Sequence, residues 1–247
     1  MMATSKLPWL ALPGLAGGID KDGRRAAELL GLGFGSVEFG SVTVHPVAGY
    51  NPGITTLLTH LSAIDRAAYK CSAIGIGLGQ PPEATAESLA EEWQAGLIAA
   101  WPVADYVSLN LSAKANQRFL AAAQRSSLLA ALRAVAACRD RLAETGRRVQ
   151  LAVKMPLAEA ARLLETLTET GFSQLTVVRS EHAAGFGDLA NLNELLCLSD
   201  GGRPALVVVG GIRTAADVAA AYAAGTNGVQ VHRLFIEHGA ACLGRLI

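Results

Sequence analysis

Apolar residues along this chain follow two alternating rhythms. Short runs at Gly14–Ile19, Ser36–Val42, Ala73–Leu78, Tyr106–Leu111, Val149–Met155, Gln174–Val178, Ala205–Val209 and Gly228–Val231 are mostly continuous in apolar character, as in strands buried on both faces. Between them, Arg24–Gly31, Thr55–Tyr69, Ala84–Ala100, Gln117–Thr145, Leu157–Thr170, Leu189–Asp200, Thr214–Ala224 and Phe235–Leu246 carry a helical period. Gly31, Gly146, Gly171 and Gly225 predict helix C-caps, and Thr214 ahead of Asp217 predicts an N-cap with an acid in the first turn. Strand and helix alternate without a linker or a charge block, so residues 1–247 read as a single domain. Eight parallel strands joined by right-handed crossovers close naturally into a barrel. The predicted fold is an α/β protein, a (βα)8 TIM barrel.

Length agrees, since 247 residues is about the size of one such barrel. The content is 51% hydrophobic and 17% charged, which excludes a disordered chain. With 21 basic and 21 acidic residues, the neutral balance argues against a nucleic-acid backbone or an anionic membrane surface as partner. Cys71, Cys138, Cys197 and Cys242 lie too far apart for a close-spaced metal or iron–sulfur motif and read as buried, reduced thiols; no metal site is expected. The apolar run Trp9–Leu12 is too short for a signal-peptide core or a membrane span. A cytoplasmic location is the default expectation. The alanine-rich outer helices are compatible with a homodimer, although alanine is also simply a good helix former.

Chemistry in this architecture sits where the strands end. The polar residues that follow the apolar runs are Gly17–Gly23 with Lys21, then Ser41, Asn110, Lys154, Arg179–His182, Gly210–Gly211 and His232–Arg233. The glycine pair after Val207–Val209 lets backbone approach a phosphate, with the helix start at Thr214 supplying N–H groups; its plain alternative is a tight turn. His232 and Arg233 either add charge to that anion or face solvent. Lys154 ends a buried strand, so it needs an anionic partner, either a ligand or a carboxylate across the mouth. Lys21 alone would be an ordinary solvated turn residue.

The stretches Gly14–Gly23 and Leu30–Thr43, continued by Tyr106–Ser112, Leu151–Lys154, Val207–Ile212 and Gly228–Val231, resemble the dihydroorotate dehydrogenases, flavin enzymes with this barrel fold. The resemblance spans nearly the whole chain. It implies FMN as cofactor, with Ala16 and Gly17 against the flavin, Lys21 near its reactive edge and Ser41 bonded to the ring. It further implies Asn110 at flavin or substrate, Lys154 at the pyrimidine edge, Ser180 nearby, and Gly210, Gly211, His232 and Arg233 around the phosphate.

Departures concentrate on the substrate. Where the family carries its Ser or Cys base this chain has Ala113, and Ala115 replaces an asparagine. Alanine accepts no proton, so His182 or Lys114 is the candidate replacement base. Gly77 stands for a flavin-contacting asparagine and Arg179 for a substrate asparagine; around Ile64–Tyr69 the family pattern survives only in fragments. Lys114 and Arg179 as substrate-binding residues suit a small anionic ligand, and with Lys21, Lys154 and Arg233 they predict a basic rim. Without the helical N-terminal extension of quinone-reducing members, quinone use is not expected. The leading expectation is an FMN-dependent oxidoreductase acting on a small anionic substrate other than dihydroorotate. Its alternatives are a flavin-free, phosphate-binding barrel enzyme using Lys154 as electrophile or Schiff-base lysine, and a non-catalytic degenerate paralogue.

Overall fold

All eight apolar runs form strands: β1 (Gly14–Leu15), β2 (Ser36–Val42), β3 (Ala73–Leu78), β4 (Tyr106–Asn110), β5 (Gln150–Pro156), β6 (Gln174–Val178), β7 (Ala205–Val209) and β8 (Gly228–Val231). In the computed structural model, which describes residues 7–69, 71–144, 146–180, 185–198 and 202–247, these strands pair in parallel in sequence order, and β8 closes on β1. The expected (βα)8 barrel is the observed one. β1 is shorter than the Gly14–Ile19 run, because Gly18, at φ +111°, turns the chain so that its N–H meets the Gly40 carbonyl at 2.6 Å.

The helices of the described residues are α1 (Ala26–Leu30), α2 (Ile54–Ser62), α3 (Leu89–Ala100), α4 (Arg125–Ala143), α5 (Leu157–Ala160), α6 (Leu164–Glu169), α7 (Gly187–Leu198), α8 (Ala215–Ala223) and α9 (Arg233–His238). Several predicted helices are interrupted. The 157–170 segment splits into α5, a 3-10 turn and α6, and the last splits at Gly239, whose φ of +55° ends α9. Gly171 and Gly225 have the left-handed conformation expected of C-caps, at φ +64° and +90°, whereas Gly31 stays right-handed at −79°. Among the described residues no helix is long and apolar enough to cross a membrane. Cys138 and Cys242 are buried as expected, but Cys71 and Cys197 are exposed.

The strands are less uniform than their hydropathy suggests. One face carries Val37, Phe39, Ile74, Ile76, Val107, Leu109, Leu151 and Val153, which join the helices in the apolar core. The alternate positions point into the barrel and are small or polar: Ser36, Glu38, Ser108, Lys154, Thr176 and Gln230 are all buried. Eight strands leave an interior just wide enough for side chains to fill. Glycine therefore sits wherever a large neighbour needs room, as at Gly75, whose missing Cβ makes space for the Tyr106 ring. An average over the run hides this alternation, because glycine, alanine and serine dilute the polar signal without looking charged.

The apolar run near the N-terminus closes one end of the barrel. Trp9, in the 3-10 turn Pro8–Ala11, stacks on Tyr106 with ring centroids 5.4 Å apart and donates its indole N–H to Gln174 at 3.3 Å. Such a stacked pair adds roughly 0.5–1.5 kcal/mol beyond the burial itself. Tyr106 and Gln174 both begin their strands, so this plug marks the N-terminal end. The opposite end carries the polar loops.

Candidate active site

At the C-terminal end of the barrel, β2, β4 and β5 present a network whose members satisfy one another. Ser41 Oγ accepts the Asn110 side-chain amide at 2.6 Å, and Asn110 Oδ1 accepts from both the N–H and hydroxyl of Ser112, at 2.9 and 2.7 Å. Asn110 is thereby locked in one orientation. Asn51 binds the loop after β2 in the same manner, donating to the Ser41 carbonyl at 2.9 Å while accepting from the backbone of Thr43 and Gly53.

Beneath this layer lies an ion pair. Lys154 Nζ stands 3.2 Å from Glu38 Oε1; the Lys154 side chain is 7% exposed and that of Glu38 not at all. The predicted need of Lys154 for an anion is met by a carboxylate. Glu38 Oε2 has no hydrogen-bond partner among the described residues. Gly17 and Gly77 leave space around this carboxylate: a Cβ on Gly17 would stand 2.7 Å from Oε1, and one on Gly77 would stand 3.2 Å from Ser41 Oγ. Position 77 is thus bordered by Ser41 and Glu38.

The loop after β1 is fixed by Asp20, whose carboxylate accepts the N–H groups of Gly23 and Arg25 at 2.8 and 2.9 Å while its carbonyl accepts that of Gly40. Lys21 at its tip is exposed, with Nζ 5.8 Å from the centre of the Tyr50 ring. Ala16 is buried and Gly17 half-buried below it.

The β6–β8 side is built differently. Gly210 and Gly211 take left-handed φ values of +97° and +77°, and a Cβ at 210 would collide with the Arg179 carbonyl. Gly210, Gly211, His232 and Arg233 line one small cleft. The N–H groups at the following helix start are less available than expected. Thr214 and Asp217 form a capping box, and the N–H groups of Arg213 and Thr214 both go to Asp217 Oδ2, at 3.0 and 2.9 Å. His232 packs across to the β1 loop, its Nε2 2.9 Å from where a Gly18 Cβ would stand. Arg233 is exposed at the start of α9.

Arg179, expected at the rim, is buried and pairs through Nε with Asp188 at 3.1 Å. Lys114 and Ser180 are exposed, and His182 lies outside the described residues. Of the five cations predicted around the rim, Lys154 and Arg179 are therefore buried and carboxylate-paired. The Ile64–Tyr69 fragment includes Arg66, which binds Asp105 at 2.7 Å, just ahead of β4 and away from the mouth.

Two site residues escaped the sequence reading. Glu38 is a lone acid inside an apolar strand, and an acid there is costly unless paired, which was the available signal. Asn116 stands one residue beyond Ala115. It is 2% exposed, donates to the Asn110 carbonyl at 2.7 Å, and keeps Oδ1 without a hydrogen-bond partner among the described residues.

Comparison with known proteins places this mouth in context. The chain is 30% identical to the dihydroorotate dehydrogenase (quinone) of Methylococcus capsulatus, over 94% of this chain and 81% of that protein. The chain belongs to the dihydroorotate dehydrogenase family. The dihydroorotate dehydrogenase (quinone) of Azotobacter vinelandii is 29% identical over 93% of this chain and 78% of its own. The Methylococcus alignment runs to 276 positions, more than the whole chain of 247, so that relative carries insertions which this family member lacks. The fold likeness extends to DHODH of Eimeria tenella: its complex with ferulenol superposes with a TM-score of 0.82 at 20% identity, covering 99% of this chain and 84% of the other. Its ligand-free form gives 0.73 at 21%. No family model matches the chain. Ala113 is half-buried, and its carbonyl accepts the N–H groups of Asn116 and Gln117 at 2.8 and 3.1 Å.

Proposed function

We propose that this chain is an FMN-dependent oxidoreductase that moves hydride equivalents between the flavin and a small anionic substrate. One observation carries the reading: Ser41, Asn110 and Lys154, which the family resemblance assigns to the ring, and the Gly210–Gly211 turn, which it assigns to the phosphate, converge on one end of one barrel. The residues present fit the group. Gly17 and Gly77 keep the backbone low beside Glu38 and Ser41, Ser41 and Asn110 supply oriented polar atoms, and Gly210 and Gly211 line a cleft with His232 and Arg233 where a phosphate would be held. FMN, when bound, supplies the ring that accepts or donates hydride.

The chain's own residues do the rest. One Lys154 N–H donor is directed to Glu38, and with FMN bound its charge would stabilise negative charge at the pyrimidine edge. Lys21, exposed at the mouth, faces the substrate side. His182, with Lys114 as the alternative, takes the proton that the side chain at 113 does not.

Absorption spectroscopy of the purified protein tests the cofactor: a flavin band bleached by dithionite is expected, and colourless protein that fails to take up added FMN overturns the reading. Ala113→Ser and Ala113→Cys then probe the substrate. Dihydroorotate oxidation gained by either variant identifies a surviving orotate pocket; no oxidation by wild type or variant is the result expected for a different anion. The relatives are named for quinone, and assays with quinone and soluble acceptors side by side identify the acceptor here.

A further inference from the structure

Lys21 is exposed at the mouth, so where it stands depends on how the backbone on either side of it is held. On one side Asp20 is tied into the barrel. Its carbonyl accepts the Gly40 N–H at 2.8 Å, and its carboxylate accepts those of Asp22, Gly23 and Arg25 at 3.2, 2.8 and 2.9 Å. On the other side the Asp22 carbonyl meets His60 of α2, whose Nδ1 stands 2.7 Å away although the two residues are 38 apart in sequence. The same ring nitrogen is 3.1 Å from the Thr56 carbonyl, one turn back along α2. Carbonyl oxygens only accept, so Nδ1 carries the proton and donates to both. The half-buried ring thereby ties the loop to the helix. Packing agrees, since a Cβ on Gly23, at φ +81°, would stand 3.0 Å from Leu57 Cδ1 and 3.1 Å from His60 Cβ.

We infer that His60 is a positioning residue for Lys21, holding the Asp22 carbonyl so that the loop after β1 presents the Lys21 side chain at the barrel mouth. The inference rests on the reading that Lys21 faces flavin and substrate. A backbone fixed on both sides of one residue loses less freedom when a ligand engages that residue's side chain, which is what an exposed lysine at the tip of a loop otherwise lacks. Asp20 does this from within the loop and His60 from a neighbouring helix, so the hold on Lys21 combines a local turn with a long-range contact.

Hydrogen exchange of the free protein reads this anchor without any ligand. His60→Leu is expected to speed exchange of the 20–25 amides about three- to tenfold, the range of one lost hydrogen bond, with strand exchange unchanged. His60→Asn, whose amide nitrogen stands as many bonds from the backbone as Nδ1, is expected to restore wild-type protection. Unchanged protection in His60→Leu, no rescue by asparagine, or a loss spread evenly over the barrel overturns the inference. Titration with FMN then tests whether the anchor acts through Lys21. His60→Leu should lower the affinity, and the double variant with Lys21→Met should lose no more than Lys21→Met alone. No loss in His60→Leu, or losses that add, overturns the inference. Should wild type take up no FMN, or Lys21→Met lose no affinity, the reading of Lys21 as a flavin-side cation fails instead, and exchange alone decides whether His60 fixes Lys21 at the mouth.

Discussion

The two sides of the barrel mouth solve the same problem, presenting polar groups at the end of a packed core, in different ways. On the β2–β5 side Ser41, Asn110, Ser112 and Asn51 hydrogen-bond one another, and Lys154 is held by Glu38. Geometry there is set by side chains before any ligand arrives. On the β6–β8 side it is set by backbone, through two left-handed glycines and a capped helix start, with Arg179 buried behind them and paired with Asp188. The first arrangement costs little to reorganise when a ring binds, while the second directs helix-start donors to Asp217 and offers an anion chiefly the shape of its turn.

The contrast is most sharply broken at Glu38. Glu38→Gln leaves Lys154 charged, buried and without its carboxylate, which should cost about 3–5 kcal/mol of stability. At roughly 2–4 °C per kcal/mol for a domain of this size, the melting temperature should fall by about 6–20 °C. Replacing both partners by methionine should recover most of that loss, because the penalty comes from an unpaired charge rather than a missing attraction. A Glu38→Gln protein as stable as wild type would show that the β2–β5 side is not organised by this pair.

On the other side the corresponding change is Gly210→Ala. Alanine there meets both a left-handed φ of +97° and the Arg179 carbonyl, a strain of about 1–3 kcal/mol, and the shifted turn should weaken FMN more than riboflavin. Gly77→Ala is the control from the first side, since its new Cβ would stand 3.2 Å from Ser41 Oγ with φ outside the left-handed range. Chemical denaturation with paired flavin titrations should show Gly210→Ala selectively impairing phosphate recognition. Equal impairment of the two flavins by Gly210→Ala would erase the division between the sides.

The same division explains what could be read from sequence. The Gly210–Gly211 turn was legible because left-handed backbone favours glycine, and glycines after an apolar run are visible in one dimension. The barrel was legible because eight runs alternate with eight helical periods. Glu38 was not, since its significance depends on facing Lys154 across the interior, 116 residues away along the chain. Nor was the engagement of Arg213 and Thr214 N–H groups by Asp217, which removes donors that the helix start alone would promise an anion. Asn116 was obscured because its contact with Asn110 depends on a turn that folds the chain back over six residues.

Ser41→Ala probes the first side more gently. Removing the hydroxyl leaves the Asn110 amide without its 2.6 Å acceptor, for about 1 kcal/mol in a half-buried setting. Asn110 remains fixed from its other end by Ser112. Flavin affinity should therefore fall by no more than about tenfold, measured by titration. A complete loss of binding would mean that the ring depends on Ser41 itself rather than on the network.

The smallest effect lies at the closed end, below both sides. Tyr106 accepts a hydrogen bond from the Gln230 side chain at 3.2 Å and is stacked against Trp9, so Tyr106→Phe should cost about 0.5–1 kcal/mol at neutral pH. Its pH dependence is more informative. Burial drives the Tyr106 phenol well above its ordinary range, and the nearby Glu38 charge pushes in the same direction. In the unfolded chain it would titrate near about pH 10. Above that pH the unfolded state releases a proton that the folded state retains, so stability falls as pH rises, by up to about 1.4 kcal/mol per unit for this group. Tyr106→Phe lacks that contribution, and the stabilities of the two proteins should converge and then cross as the pH is raised above 10. Parallel stability curves through that range would mean that the phenol ionises in the folded protein, and that the interior beneath the mouth is open to water rather than sealed by Trp9.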